Sequence, residues 1–457
     1  MKANWRNKAG YGAADFGLSG AELMLQLYLL EFYISAVGLS PMLAGVALGL
    51  AVLWDAVSDP LMGILTDRTR SRFGRFAPWM FIGALLFGLS FYALFHPPEG
   101  LGQGFLFGYL LLCYLLVNTA TTLMGVPHMA LAAALAKDRD ERTTYYGWRL
   151  IFGTFGLFAG ILAPLAYAWA SGNGNDASMY AANRGGGALW MVIAVLFFMA
   201  ITLLSSYRSQ RDLEPEASPQ LQQLGKWHEG MFDLLRNRLF LPVFCAFLLV
   251  AAGRAMNATL ALPFYKVRLE LPEEQIQGVI LSVFTLFIVL SVPLWTFISK
   301  RFGKKWPAFI GLFSLGLMTA IAYPLFPPGQ LLGPTIVAVL GGLAVGAIIL
   351  FESIVADIAR LDSQQQGRNR EGLYFGYWRM GQKVMRSISL GFTGLLLAWI
   401  GYEEGVAEQS AEVAQRLAWV FGPGVGSLFL LAALVFLWMP GRTMRRTSLG
   451  AGAPPRP

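Results

Sequence analysis

Long apolar stretches follow one another along the whole chain, with only short polar segments between them. Each stretch holds about 20 residues or more, which is enough for an α-helix to cross a hydrocarbon core of roughly 30 Å. We predict twelve membrane-spanning helices, at 12–37, 42–66, 77–96, 103–135, 147–171, 187–206, 239–263, 274–298, 306–326, 333–359, 374–399 and 417–439. The pattern therefore predicts an all-α integral membrane protein.

The composition agrees with this prediction. Of the 457 residues, 56% are hydrophobic and 14% are charged, whereas a soluble domain carries roughly 25% charged residues. A soluble protein of this length would lack the charges to cover its surface. Cys113 and Cys245 lie within apolar stretches and have no partner motif, so we expect buried thiols, with no disulfide framework and no metal site.

Lysine and arginine gather in alternate loops. The basic loops hold Lys2, Arg6, Lys8, Arg68, Arg70, Arg72, Arg75, Lys137, Arg139, Arg142, Lys300, Arg301, Lys304, Lys305, Arg442, Arg445 and Arg446. The positive-inside rule places these loops and both termini in the cytoplasm, with the first span uncleaved. We therefore expect a multi-pass protein of the cell membrane, the inner membrane in a Gram-negative source. The basic cytoplasmic loops account for the net charge of +8, so we expect no nucleic-acid partner. The exceptions to the rule are Arg184, Lys266, Arg268 and Arg416.

The two halves of the chain resemble each other. The end of the second span from Pro60 matches the end of the eighth from Pro293, and the segment ending in Arg149 matches that ending in Arg379, at almost the same offset. Two parallel repeats of six helices, related by a pseudo-two-fold axis, are typical of the major facilitator fold. We predict an N-terminal bundle at 1–206, a cytoplasmic linker at 207–238, a C-terminal bundle at 239–439 and a cytoplasmic tail at 440–457. The substrate site is expected between the bundles, near the midplane.

Two carboxylates lie inside the second span. Asp55 and Asp59 are four residues apart and share a helix face, with Ser58 beside them. A charge in mid-membrane costs roughly 2.5–3.5 kcal/mol on insertion scales, and two adjacent carboxylates cannot both stay ionised and unpaired. Either one carboxyl is protonated or a cation lies between them, and oxygen ligands suit a hard cation such as Na⁺. The alternative is a structural carboxylate that pairs with a neighbouring helix.

Polar residues also mark the first and fourth spans. Asp15, Ser19, Glu22 and Gln26 form one stripe on the first span, which predicts either the wall of an aqueous cavity or polar contacts between helices. In the fourth span, Thr122 either offers a neutral oxygen to a cation or packs between helices. His128 either titrates near neutral pH or is structural.

Cationic residues suggest gates. The eleventh span carries Arg379, Gln382, Lys383 and Arg386 on one face, while Arg149 and Arg254 lie in the fifth and seventh spans. Their candidate partners are the intramembrane acids, and such ion pairs either break and re-form during transport or are static. Asp67, Arg68 and Arg75, between the second and third spans, are predicted to lock the cytoplasmic helix ends together in one state or simply to anchor the loop. Arg379 is a further gating candidate.

At these residues the chain resembles the glycoside–pentoside–hexuronide:cation symporter family. The matching segments are Tyr11–Gly12, Val37–Ser40, Trp54–Ala56, Asp59–Gly63, Thr69–Arg75, Pro78–Trp79, Arg149, Val355–Ile358 and Lys383. The resemblance implies symport driven by Na⁺, Li⁺ or H⁺, with no cofactor. It also implies that Asp55, Asp59 and Thr122 bind the cation, that Lys383 links the cation and sugar sites, and that Arg149 lies at the sugar pocket.

Two family sugar-binding acids are replaced, by Ser19 and Gly125, and Ser58 stands where the family has asparagine. We therefore expect cation-coupled symport of a sugar or glycoside-type solute, with substrate contacts from Ser19, Glu22, Gln26, Arg149 and Lys383. A lysophospholipid-like amphiphile and an uncoupled facilitator or exporter are the alternatives. The sequence has no nucleophile–base motif, nucleotide loop or metal cluster, so an enzyme is not expected. A monomer surrounded by membrane lipid is expected.

Overall fold

The computed structural model describes residues 5–135, 139–172, 179–211, 234, 236–366, 371–403, 406 and 408–440. Side chains outside this description include those of Asp55 and Asp67. Most of the predicted 207–238 linker and all but the first residue of the 440–457 tail also lie outside the described residues.

In the described part of the N-terminal half, six helical spans are formed. The first is interrupted at Ala13 and ends in a wide π-helical turn, so that it comprises Trp5–Gly12, Ala14–Glu31 and Phe32–Ala36. The second to sixth are Pro41–Arg68, Ala77–Leu94, Gln103–Leu135, Arg139–Ser171 and Tyr180–Arg211. Prolines occupy the first turns of the second and third spans. An amide proton at this position has no carbonyl partner within the helix, so proline costs no hydrogen bond there.

The C-terminal half repeats this arrangement within the described residues. Its spans are Phe240–Pro263 with Phe264–Arg268, Glu273–Gln275 with Ile276–Leu281 and Ser282–Phe302, Lys305–Leu325, Leu332–Val345 with Gly346–Ile348 and Ile349–Gln366, Glu371–Trp399, and Ala411–Trp419 with Val420–Gly424 and Val425–Leu437. The twelve predicted helices are confirmed. The fifth and sixth begin about two turns earlier than predicted, because polar residues continue these helices beyond the apolar stretches.

The spans that carry charged residues are less apolar than the others. Nine helices in the described residues are long and apolar enough to cross a membrane. The first, second and eleventh spans, which carry charged residues along their length, are not among them. Charge is accepted in a bilayer only where it faces protein or water. These three helices therefore line the boundary between the bundles.

Close helix packing holds the N-terminal bundle together. The first and fifth spans meet at Gly156 and Gly160, where an added Cβ would lie 2.1 Å from the carbonyl oxygens of Phe16 and Gly20. Small residues allow this approach, which is how helices associate in a membrane without a hydrophobic driving force between them.

The two bundles meet most closely near one face. We call the face with connections 95–102 and 326–331 the distal face, and the face with the arginines at 68–75 the basic face. A Cβ on Gly45 of the second span would lie 2.7 Å from Cα of Gly394 in the eleventh. On the basic half of the same helices, a Cβ on Gly63 or Gly376 would meet no atom of another described helix within 4 Å. The bundles are thus packed together in their distal half.

Candidate functional site

The second and fourth spans bring three of the predicted cation-site oxygens together. The Thr122 hydroxyl donates a hydrogen bond to Asp59 Oδ1 at 2.9 Å, and the Ser58 and Thr122 hydroxyl oxygens are 3.3 Å apart. The Asn118 amide donates to the carbonyl oxygen of Ala51 at 2.8 Å, which fixes the register of the two helices. Asp55 lies one turn before Asp59 on the same helix.

Lys383 reaches this group of oxygens from the other bundle. Its ammonium forms an ion pair with Asp59 Oδ2, and the two side chains are 29% and 35% exposed. Because both are partly exposed, water and small ions have access to the carboxylate. Ser58, Asp59, Thr122 and Lys383 therefore form one polar group at the interface of the bundles, and cation binding by it remains a prediction.

A cavity of about 210 Å³ lies between the bundles and extends into the C-terminal one. One side of it is polar and is lined by Glu22, Gln26, Arg254, Asn257, Gln382 and Arg386. The rest of the lining is largely apolar, with Phe284, Ile288, Leu315, Met318, Val345 and Phe429 of the C-terminal bundle and Leu25, Leu30, Leu48 and Tyr114 of the N-terminal bundle. A cavity with these two sides suits a molecule that has both a polar and an apolar part.

Arg254 is the most unusual residue of the polar side. It lies at mid-length of the seventh span and is exposed to the cavity. Its guanidinium has no hydrogen bond or ion pair with the described residues, although Glu22 and Glu352 attract it from farther away. An uncompensated cation at this depth is costly, so the cavity offers a binding position for an anionic or strongly hydrogen-bonding group.

The polar stripe of the first span divides between two environments. Gln26 donates to Glu22 at 3.0 Å, and Arg386 binds the same carboxylate oxygen at 3.2 Å across the bundle interface. Glu22 and Gln26 thus lie in the cavity wall. Asp15 and Ser19 instead face the fifth span, where Ser19 Oγ lies 3.0 Å from the position of a Cβ on Gly153.

The predicted substrate arginine has a partner within its own bundle. Arg149 donates two hydrogen bonds to the Asp15 carboxylate, at 2.7 and 2.8 Å. The residues that line the cavity do not include Ser19, Arg149 or Lys383. In this structure, the predicted substrate residues in the cavity wall are Glu22 and Gln26, and solute binding by any of the five remains a prediction.

The predicted gating residues are not brought into one cluster within the described side chains. Arg379 contacts Met129 Sδ of the other bundle at 3.5 Å. Arg68 is exposed, Arg75 lies 4.7 Å from the centre of the Phe76 ring, and the side chain of Asp67 lies outside the description. Their gating role remains a prediction.

The sequence interpretation missed a group of four charges at the distal face, which we call the distal ion network. Arg184 of the N-terminal bundle donates to both carboxylate oxygens of Glu273 in the C-terminal bundle, each at 3.1 Å. Lys266 of the C-terminal bundle binds Glu31 of the N-terminal bundle at 3.1 Å and Glu273 at 3.2 Å. Two positive and two negative charges thus join the bundles.

Burial and aromatic rings reinforce this network. The side chain of Arg184 is fully buried and that of Glu31 is 2% exposed. The Arg184 guanidinium lies 4.2 Å from the Tyr28 ring centre, and the Lys266 ammonium 4.1 Å from that of Tyr180. A cation over an aromatic face gains further stabilisation where it is removed from water, as Arg184 is. Burial, and secondarily the Glu31 charge, raises the pKa of the neighbouring Tyr402 to about 12.

A signal for the distal ion network was present in the sequence. Arg184 and Lys266 are two of the four exceptions to the alternation of loop charge. Their partners are the acids that the structure brings to the same face. A third exception, Arg416, pairs with Glu412 on its own helix.

Comparison with known proteins places the chain in a family. The family model described as MFS/sugar transport protein matches residues 10–440. The chain is 26% identical over 467 residues to the sodium-dependent lysophosphatidylcholine symporter 1-A of Danio rerio, covering 95% of this chain and 85% of the relative. It is 25% identical over 427 residues to the putative glycoside/cation symporter YagG of Escherichia coli, covering 91% and 87%.

The fold is also found in solved transporter structures. A crystal structure of the nucleoside transporter NupG aligns with a TM-score of 0.70 at 14% sequence identity, covering 95% of this chain and all of the other. A bacterial homologue of the human drug peptide transporters aligns with a TM-score of 0.68 at 11% identity, covering 97% and 99%. The match of the family model to almost the whole chain shows that the chain belongs to the MFS/sugar transport protein family, and the shared fold agrees with this.

Proposed function

We propose that this protein is a cation-coupled symporter that works by alternating access, a transporter and not an enzyme. The observation that carries the proposal is the ion pair between Asp59 and Lys383 across the bundle interface, with the Thr122 and Ser58 hydroxyl groups beside it. Its relatives, which include a sodium-dependent symporter and a putative glycoside/cation symporter, support it.

Competition for Asp59 explains how binding and movement are coupled. Carboxylate and hydroxyl oxygens suit a hard cation such as Na⁺ or Li⁺, and protonation of the carboxyl is the alternative. A cation bound at Asp59 replaces the positive charge of Lys383 and so removes an ion pair between the bundles. Occupation of the site thereby changes the relative stability of the two conformations, which is what coupling requires.

The direction in which the cavity opens follows from the orientation in the membrane. If the basic face is cytoplasmic, the distal ion network and the contact between Gly45 and Gly394 close the outer side. Solute then leaves the cavity toward the cytoplasm. This is the inward-facing state of a monomeric importer.

The orientation has a direct test. A cysteine introduced at Gly329, on the distal face, should react with a membrane-impermeant maleimide added to intact cells, whereas one at Gln220 should not. The positive-inside rule predicts this difference. The wild type, whose native thiols are the buried Cys113 and the partly buried Cys245, is the control for background labelling. Reaction of Gln220→Cys in intact cells would reverse the orientation.

The solute class follows from the two sides of the cavity. A sugar or glycoside is the first candidate, with hydroxyl groups at Glu22, Gln26 and Gln382. The apolar side formed by Phe284, Met318 and other residues of the C-terminal bundle specifically favours the second candidate, an amphiphile of the lysophospholipid type. Its polar head would lie at Arg254 and its alkyl chain in the C-terminal bundle.

A panel of labelled solutes in proteoliposomes tests the symporter and its solute together. Na⁺- or H⁺-driven uptake of lysophosphatidylcholine, an alkyl glucoside and melibiose should be compared for the wild type and Arg254→Gln. We expect Arg254→Gln to lower uptake of the best solute about tenfold or more, the equivalent of one charge-assisted hydrogen bond of ~1.5–3 kcal/mol. Melibiose should be transported weakly, because Ser19 and Gly125 replace the family's sugar-binding acids.

The matched control is Arg301→Gln, which removes an exposed arginine at the basic end of the eighth span. It should leave uptake unchanged. Equal uptake by Arg254→Gln and the wild type would show that Arg254 does not contact the solute. Uptake that does not depend on either cation gradient would contradict the symporter and favour the uncoupled facilitator.

A further inference from the structure

His128 is a fully buried histidine of the fourth span whose ring has two different environments. It stacks on the Tyr11 ring with centroids 4.5 Å apart, and its Nε2 lies 2.9 Å from the backbone oxygen of Tyr11. A carbonyl oxygen can only accept a hydrogen bond, so Nε2 must be the donor. In a neutral imidazole the other nitrogen, Nδ1, is then an unprotonated acceptor.

This acceptor nitrogen faces a carboxylate. His128 Nδ1 lies 3.7 Å from Asp15 Oδ2 and has no hydrogen-bond partner among the described residues. Two acceptor atoms 3.7 Å apart in a buried place have no proton between them. One proton on Nδ1 would convert the contact into a charge-assisted hydrogen bond, which is roughly twice as strong as a neutral one.

Asp15 already has a cationic partner, and this partner controls the proton. Arg149 of the fifth span holds both oxygens of the carboxylate through two hydrogen bonds. While it does so, the Asp15 charge is compensated and there is little to attract a proton to His128. Asp15 therefore has one negative charge and two candidate cations, Arg149 and a protonated His128.

The other groups that face this cluster do not supply a competing acid within the described residues. Tyr11 donates its hydroxyl proton to the backbone oxygen of His128 at 2.8 Å. Tyr145 packs edge-on against Tyr11, and Lys8 lies over the Tyr145 ring at 5.8 Å. From the fifth span, Tyr146 lies under the Arg149 guanidinium at 5.8 Å.

We propose that His128 Nδ1 is a proton-binding site that is filled when Arg149 leaves Asp15. A proton from water binds the Nδ1 lone pair, and the resulting N–H donates to Asp15 Oδ2 in place of the arginine. Asp15 and Arg149 are 11% and 19% exposed, which gives water a path to the site. Proton uptake thereby frees the guanidinium of Arg149, so that acid pH favours an Arg149 that can bind another group. The site is separate from Asp59 and does not depend on the proposed cation coupling there.

Nitrogen NMR of the histidines in lipid nanodiscs tests the proposal, because the chain has only three, His96, His128 and His228. His128→Gln assigns the signal. At pH 5.5 the wild type should show a neutral His128 with the proton on Nε2. In Arg149→Gln the His128 signal should be that of an imidazolium, and in Arg149→Gln with Asp15→Asn it should be neutral again.

Two results would overturn the proposal. One is a wild-type His128 that carries its proton on Nδ1, which needs no variant to observe. The other is a His128 that stays neutral at pH 5.5 in Arg149→Gln. Arg149→Met, which also removes the positive charge beside Asp15 but keeps an unbranched side chain, provides a second variant with the same expected imidazolium signal if Arg149→Gln does not fold.

Discussion

Asp59→Asn should abolish cation-driven accumulation of solute while leaving a folded protein. The carboxylate that a cation would bind is lost, whereas the Thr122 hydroxyl keeps an acceptor in the amide oxygen. Removing one partner of a buried ion pair costs roughly 3–5 kcal/mol, but an exposed pair contributes only about 0–1 kcal/mol. Asp59 and Lys383 are 35% and 29% exposed, so we expect the substitution to lower the free energy of unfolding by an amount close to that of an exposed pair.

The chain offers a matched control for this prediction. Asp357 pairs with Lys304 at 2.5 Å within the C-terminal bundle, and the two side chains are 38% and 30% exposed. Asp357→Asn should therefore lower the melting temperature by a similar few degrees without loss of accumulation. Uptake driven by Na⁺ or H⁺ should be measured beside the melting temperature for both variants and for Asp55→Asn, for which we also expect loss of accumulation.

The outcomes separate the two interpretations of the second-span carboxylates. Loss of accumulation with a preserved fold, and with solute exchange that no longer needs a cation, supports the coupling site. An Asp59→Asn protein that does not fold would favour a structural ion pair. Full accumulation in both aspartate variants would end the coupling proposal.

Glu273→Gln should open the distal face. The substitution leaves Arg184 and Lys266 with Glu31 as the remaining acid of the distal ion network, and Arg184 is fully buried. An uncompensated buried charge costs roughly 3–5 kcal/mol. Separation of the bundles would hydrate the arginine, so we expect the conformational equilibrium to move toward a distally open state by a factor of about 100 or more.

Spin labels at Gln103 and Gly329, one on the distal side of each bundle, measure this change by the distance between them. Glu273→Gln should show a longer distance than the wild type. In Arg184→Gln with Glu273→Gln, the network retains one cation and one anion, so the distance should return toward the wild-type value. This recovery depends on charge balance and is not expected from a general loss of packing.

The control lies on the same face. Arg416 and Glu412 form an ion pair within one helix, and their side chains are 49% and 71% exposed. Glu412→Gln should leave the distance unchanged, because an exposed pair is weak and does not join the bundles. An unchanged distance in Glu273→Gln would show that the distal ion network does not close this face.

The relation of sequence to fold is clearest in the helices. Hydropathy predicted twelve spans because each crossing needs about 20 apolar residues whatever its neighbours are. The repeated segments ending in Arg149 and Arg379 indicated two bundles. The polar starts of the fifth and sixth helices escaped prediction, because helical hydrogen bonding continues beyond the apolar stretch once a neighbouring helix supports it.

Part of the site was also predictable from local helix geometry. The four-residue spacing of Asp55 and Asp59 places them on one helix face by local geometry alone. The family resemblance pointed to Thr122 and Lys383, and the structure adds that Lys383 reaches Asp59 from the opposite bundle. Sequence periodicity gives the face of a helix but not which helix it meets.

What the sequence determined by itself was therefore the membrane environment, the number of helices, the internal repeat and the presence of costly charges in the second, first and eleventh spans. Only the tertiary structure decided how those charges are paired. It joined Arg149 to Asp15 within one bundle, Arg184 to Glu273 across the distal face, and left Arg254 without an ion pair among the described residues. The physical reason is that an ion pair depends on a few ångströms between side chains from helices far apart in sequence, whereas the insertion of each helix depends on its own composition.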